Sequence, residues 1–153
     1  MTALTQDSFG LLEKTEPTGL AALVLRVTLG IVMLAHSIYL KLMVFTLAGT
    51  ASFFESLGLP AAAAYLVFTI EAAAGFTLLI GYKVRLTSLF LIPVLIGATW
   101  AHWSSGWLFT NENGGWEYPL FLVMAAVVQL LLGAGIYSFD NKSSTPLNSK
   151  AEG

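Results

Sequence analysis

The chain has no cysteine, and only 16 of its 153 residues are charged. Without cysteine it has no disulfides, no thiol redox chemistry, no Fe–S cluster and no Cys-type zinc site of its own. Any electrons it helps to move must be carried by a cofactor, a quinone or a partner. Charged residues make up 10% of the chain, against about 25% in ordinary soluble domains. There are seven Lys and Arg against nine Asp and Glu, a net charge of −2. No basic block is present, so the electrostatic footprint of nucleic-acid binding is missing. Dinucleotide-binding and c-type haem motifs are missing as well, as are HExxH and HxH, so no compact catalytic or metal-binding signature stands in the chain.

What remains is apolar. Hydrophobic residues make up 56% of the sequence, too much for one small water-exposed globule to hide. They gather in four runs, at about 19–44, 60–81, 84–103 and 118–139. Each is close to the 20 residues that cross a ~30 Å hydrocarbon core at ~1.5 Å per residue. In lipid a spanning segment must satisfy its own backbone hydrogen bonds, which selects helices. The expected fold is therefore all-α, an integral membrane four-helix bundle. The first run is too long for a signal-peptide core and follows an acid-leaning leader, so it is expected to be retained. Residues 1–18 read as a polar cytoplasmic leader, 19–139 as the membrane domain and 140–153 as a disordered cytoplasmic tail.

Four spans place both termini on the same side as the turn between the second and third runs. That side collects Lys14, Lys83, Arg85, Lys142 and Lys150, and the other holds only Lys41. The positive-inside rule puts the termini in the cytoplasm. Trp100, Trp103, Trp107 and Trp116 all fall at the opposite, outer end, where indole rings favour the headgroup level. In the first outer loop, residues 50–57 read as a short interfacial helix. Ser52 and Glu55 stand there at capping-box spacing, Gly58 is its stop and Pro60 starts the next helix.

Charges at bilayer depth are costly and generally face protein. Counting from the cytoplasmic ends, Arg26 lies about 10 Å in and Glu71 about 15 Å in, at ~1.5 Å per residue. The expectation is an Arg26–Glu71 ion pair, serving either as a helix lock or as a proton or anion site. Arg26, Gly30, Met33 and Ser37 fall on one helical face, and Glu71 and Gly75 on another. Gln129 is a buried amide expected to find a partner on a neighbouring helix. Near the outer end, His36 (about 25 Å up) and His102 (about 27 Å up) share a depth with Lys41 and Glu117. Asn113 and Tyr118 flank them in the loop. This outer cluster is either a hydrogen-bonded network or a ligand site for a quinone headgroup. Glu117 also suits the first turn of a helix. None of these residues stands at helical ligand spacing with another, and no metal is assigned.

The ordered set of LVLRVTLGIVMLAHSIYLKL (23–42), FFESLGLP (53–60), EAAAGFTLLIGYKVRLTSL (71–89), His102 and NGGWEYPLFL (113–122) resembles the DoxX family of small four-helix membrane proteins. The resemblance runs from about 20 to 140. It implies the plasma membrane of a bacterium or archaeon. It also implies kinship with the membrane subunit of an archaeal thiosulfate:quinone oxidoreductase, and a role in, or accessory to, a membrane redox complex of sulfur or oxidative-stress metabolism. Quinone would be the associated cofactor, with none intrinsic to the chain. The expected partners are the lipid bilayer, a redox protein subunit and further copies of the chain. Arg26, His36, Glu71, His102, Asn113, Gly114, Gly115, Glu117 and Tyr118 match recurrent polar positions of the family. One departure stands out. The family often reads His-Gly-x-x-Lys, whereas Ser37 follows His36 here and the lysine comes five residues on. In an α-helix that extra residue turns Lys41 away by ~100°. Two other readings stay open: a non-enzymatic membrane scaffold or assembly protein, and a small oligomeric transporter. Whether the protein is catalytic is likewise open.

Overall fold

A computed structural model describes residues 17–142; residues 1–16 of the expected leader, and the tail beyond 142, lie outside them, while Pro17 and Thr18 open the first helix. Every regular element among the described residues is helical. Helix α1 (Pro17–Leu34) continues without a break into a π-helix (Ala35–Val44). Then come α2 (Thr46–Ser56), α3 (Ala61–Ile80), α4 (Val84–Ala101), a 3-10 turn (Trp103–Ser105), α5 (Glu117–Leu132) and a one-turn α6 (Phe139–Lys142).

Three segments are long and apolar enough to cross a membrane: the 28 residues of Pro17–Val44, the 20 of Ala61–Ile80 and the 18 of Val84–Ala101. The fourth run is shorter than its hydrophobicity suggests. Helix α5 has 16 residues, about 24 Å at ~1.5 Å per residue. It stops because Gly133 and Gly135 take positive φ angles of 78° and 68°, a backbone that glycine adopts without steric cost. The expected 118–139 span is thus a helix to Leu132 followed by an irregular stretch, 133–138. Residues 140–142, expected as the start of the tail, are helical and belong to α6.

Sequence chemistry explains the other boundaries. Pro60 holds an extended backbone (φ −68°, ψ 143°) ahead of α3. Gly81 ends α3 in the left-handed region (φ 73°), its N–H donating to Thr77 and Leu78 carbonyls. The cap of α2 differs from expectation. The helix starts at Thr46, whose hydroxyl accepts from the Gly49 N–H at 3.2 Å, so Ser52 lies inside the helix. Gly58 (φ 79°) is its stop, as the sequence suggests.

The packing is inverted relative to a soluble protein. Large apolar side chains face outward: Leu131 is 71% exposed, Phe121 66% and Leu66 61%. Buried polar groups include Arg26, Ser37, Glu71, Ser88 and Gln129, set among Leu29, Met33, Leu78, Leu91, Leu122 and Ala126. Such a surface is stable against lipid and not against water. Helix α1 packs on α3, and α4 on α5. Where α1 crosses α3, the absent side chains of Gly30 and Gly75 bring backbones together: a Cβ on Gly30 would sit 3.0 Å from the Gly75 carbonyl oxygen, and one on Gly75 3.1 Å from that of Gly30. Small residues at such a crossing allow close approach. The sequence-predicted face of Arg26, Gly30, Met33 and Ser37 is the buried one.

Candidate functional site

The Gly30–Gly75 crossing fixes the depths of the buried charges. Arg26 lies one turn below it on α1, and Glu71 one turn above it on the antiparallel α3. Their axial separation is about 12 Å, at ~1.5 Å per residue. Side chains tilt toward the N-terminus of their own helix, so these two also lean apart. The expected Arg26–Glu71 pair is therefore not formed, and each group has other partners.

Arg26 is 1% exposed and clamps the basic end of the bundle, the end that carries Lys83 and Arg85. Its Nη1 donates to the Leu78 and Leu79 carbonyls at 2.9 and 2.8 Å. These are among the last carbonyls of α3, which lack the i+4 partner of a helix interior; the Leu78 carbonyl also accepts from the Gly81 N–H at 3.2 Å. Nε donates to Ala134 at 3.0 Å and Nη2 to Tyr137 at 2.8 Å, with Ile136 at 3.4 Å. One guanidinium thus ties α1 to the end of α3 and to the irregular stretch after α5. Gly81 leaves room for it, since a Cβ there would come 2.8 Å from Nη1. Asp140 completes this end: its carboxylate accepts from the Lys83 and Val84 N–H groups at 2.9 and 3.2 Å, a cap that α6 supplies to the positive N-terminus of α4.

Glu71, also buried, pairs with Lys41. Lys41 sits on the π-helix above Glu71 and leans down toward it. The π-helix also settles the unusual His…Lys spacing. Its hydrogen bonds join residues five apart, so residues i and i+5 stand roughly one above the other. His36 and Lys41 are brought toward one face, as i and i+4 would be in an α-helix. The predicted ~100° rotation is absorbed by the wider turn.

The outer cluster divides. Lys41 belongs with Glu71. His36 Nδ1 lies 2.9 Å from the Val32 carbonyl, and its ring stacks on Tyr118 with centroids 6.2 Å apart. A carbonyl only accepts, so Nδ1 carries the proton and Nε2 of the neutral ring is an acceptor. His102 Nδ1 contacts the Asn113 carbonyl at 3.0 Å. Glu117 opens α5, as expected of a first-turn carboxylate, and accepts from the Phe109 N–H at 2.9 Å. These last contacts close the 102–117 loop upon itself. Trp116 stacks on Trp103 (4.7 Å between centroids) and meets Trp107 edge-on at 4.4 Å. Asn113 and Gly114 take φ angles of 67° and 74°, which turn the chain sharply there. A Cβ on Gly115 would collide with the carbonyls of Trp107 and Leu108. Gly115→Ala is therefore expected to open this loop and cost about 2–3 kcal/mol, read as loss of the near-UV tryptophan circular dichroism and a lower melting temperature. An unchanged spectrum would contradict the packing.

Gln129 also departs from expectation. Its amide Nε2 donates to the Gly133 carbonyl at 2.7 Å, one turn on in its own chain segment, and Oε1 has no partner among the described residues. Among the described residues, no three His, Asp or Glu side chains gather as a metal ion would require.

Between α1 and α5 runs an apolar groove of about 540 Å3, open to the outside of the bundle. Its lining includes Leu25, Thr28, Val32, Phe121 and Ala125. The His36–Tyr118 stack lies next to its upper end, one turn beyond Val32 and three residues before Phe121. Sequence reading found both ring residues but not the groove, which depends on how α1 and α5 pack. It also missed Asp140 and the carbonyls of 134–137, because backbone acceptors carry no residue-type signal.

An apolar exterior around a polar, ion-paired interior defines an integral membrane protein built from long apolar helices. A family model for DoxX matches residues 21–103, more than half of the chain. The protein belongs to the DoxX family. The match covers α1 through α4, while the Asn113–Tyr118 turn and α5 lie beyond it. Comparison with curated proteins returned no match, and neither did comparison with solved structures.

Proposed function

We infer that this is a four-span, multi-pass protein of a bacterial or archaeal plasma membrane, serving a quinone-linked redox complex as subunit or accessory. Helix α5 is the fourth and shortest span. Helix α2, with Phe53 turned outward, lies along the outer interface. Both termini face the cytoplasm, beside Lys83 and Arg85. Further copies of the chain and a soluble redox subunit acting in sulfur or oxidative-stress metabolism are its expected partners.

The observation that carries this reading is the His36–Tyr118 stack beside a groove open to lipid. The groove's apolar lining suits an isoprenoid tail. At its upper end, the Tyr118 hydroxyl can donate to a ring oxygen, and His36 Nε2 can accept a proton from a ring hydroxyl. Bound quinone would supply the electron chemistry that the side chains lack. The chain's own part is to orient the ring and hold a proton at Nε2.

The test is tryptophan fluorescence quenching by a short-chain quinol, with the full chain in nanodiscs. His36→Leu and Tyr118→Phe are each expected to weaken binding about tenfold, the worth of one buried hydrogen bond. Equal quenching in wild type and both variants would overturn the assignment. A second reading, a membrane scaffold, is favoured by a different observation: Arg26, Lys41, Glu71, His102 and Glu117 each make a polar contact to the chain itself. That reading predicts no quinol binding.

A further inference from the structure

The basic end of the bundle holds an open cleft of about 980 Å3. It lies between the start of α1, the start of α4 and the irregular stretch after α5. Lys83 and Arg85 stand in its wall. Among the described residues neither is in an ion pair. Arg85 is held in place: its Nη2 reaches the Leu131 carbonyl at 3.4 Å. Its Nε lies where a Cβ on Gly133 would come within 3.0 Å, so this glycine gives the guanidinium its seat. That single backbone contact leaves most of the five guanidinium donors available. Asp140 also lines the cleft, with its carboxylate turned to the Lys83 and Val84 N–H groups. The remaining wall holds Thr18 and Tyr137 beside apolar Ala22, Leu86, Leu132 and Ile136.

We propose that this cleft binds an anionic phospholipid, its phosphate between Lys83 and Arg85 and its upper acyl chain along Leu86, Leu132 and Ile136. Three features select a lipid over a free anion. The two cations sit where the apolar helices end, at headgroup level. The cleft is far larger than one small anion requires and lies in the range that holds whole organic ligands. Its charged rim adjoins the apolar side chains of Leu86, Leu132 and Ile136, as a headgroup adjoins its chains. Basic pockets between membrane helices are suited to such headgroups, each Lys or Arg near the surface contributing about a fivefold gain in affinity.

The experiment is native mass spectrometry of the full chain, extracted in mild detergent and titrated with phosphatidylglycerol or phosphatidylcholine of matched acyl chains. Wild type should retain phosphatidylglycerol preferentially. The Lys83→Gln/Arg85→Gln variant should bind it about thirtyfold more weakly with phosphatidylcholine retention unchanged, and Arg85→Lys alone should keep most of the preference. Equal retention of the two lipids by wild type overturns the proposal; this is also the result expected if residues 1–16, which join the chain beside the cleft, fill it. Undiminished phosphatidylglycerol retention in the double variant overturns it too. Displacement by millimolar inorganic phosphate would assign the site to a free anion instead. If the double variant does not fold, salt decides on wild type alone: a preference that survives high salt unchanged overturns the proposal.

Discussion

Arg26→Met is expected to lower the stability of the bundle by roughly 3–5 kcal/mol, enough to remove a large part of the folded population. Arg26 satisfies carbonyls from two separate parts of the chain, the end of α3 and the 134–137 stretch. Each buried acceptor left unpaired costs ~1–3 kcal/mol, and whole domains are stable by only ~5–15 kcal/mol. Arg26→Lys should recover a minority of the loss. An ammonium has three donors on one atom and cannot fork across carbonyls that approach from different directions. Thermal unfolding in detergent, followed by helical circular dichroism, measures both variants. A melting temperature within a degree or two of wild type for Arg26→Met would refute the clamp.

The second large effect belongs to Lys41 and Glu71. Removing one partner of a buried pair strands the other charge, at a cost of ~3–5 kcal/mol. Lys41→Met and Glu71→Leu should each be strongly destabilising. The double variant should return to within about 1 kcal/mol of wild type or exceed it, because apolar groups of similar size replace a buried pair without its desolvation cost. The same cycle with Arg26 and Glu71 should show additive losses, as expected of groups without shared partners. Coupling between Arg26 and Glu71, or additivity between Lys41 and Glu71, would reverse the assignment of partners.

That contrast shows what the sequence could reveal and what it could not. The all-helical, apolar character and the inward face of α1 were legible, since they follow from composition and a 3.6-residue period. The partner of Glu71 was not. Counting residues from assumed helix ends brought Arg26 close to Glu71, whereas the glycine crossing sets them two turns apart. The lean of each side chain along its helix already favoured Lys41, and that signal was available from connectivity alone. The outer histidines and Glu117 read from the sequence as one polar cluster. Their separation into a loop closure and a groove-side stack depends on the path of 102–117, where Gly115 and the left-handed Asn113 and Gly114 decide which way the chain turns. The early end of α5 escaped notice because Gly133 and Gly135 sit in a run that is apolar throughout, so hydropathy gives no sign of the break.

The π-helix gives the first span a tolerance for length. In a bundle held by specific contacts, one added residue ordinarily rotates everything after it out of register, and every partner beyond that point is lost. Here the surplus is taken up in the ten residues Ala35–Val44, below by the glycine crossing and above by α2. The outer half of the protein keeps its orientation, and the lysine still finds its carboxylate. The width of a helical turn, rather than the identity of any side chain, thus preserves the contact when the spacing in the sequence changes.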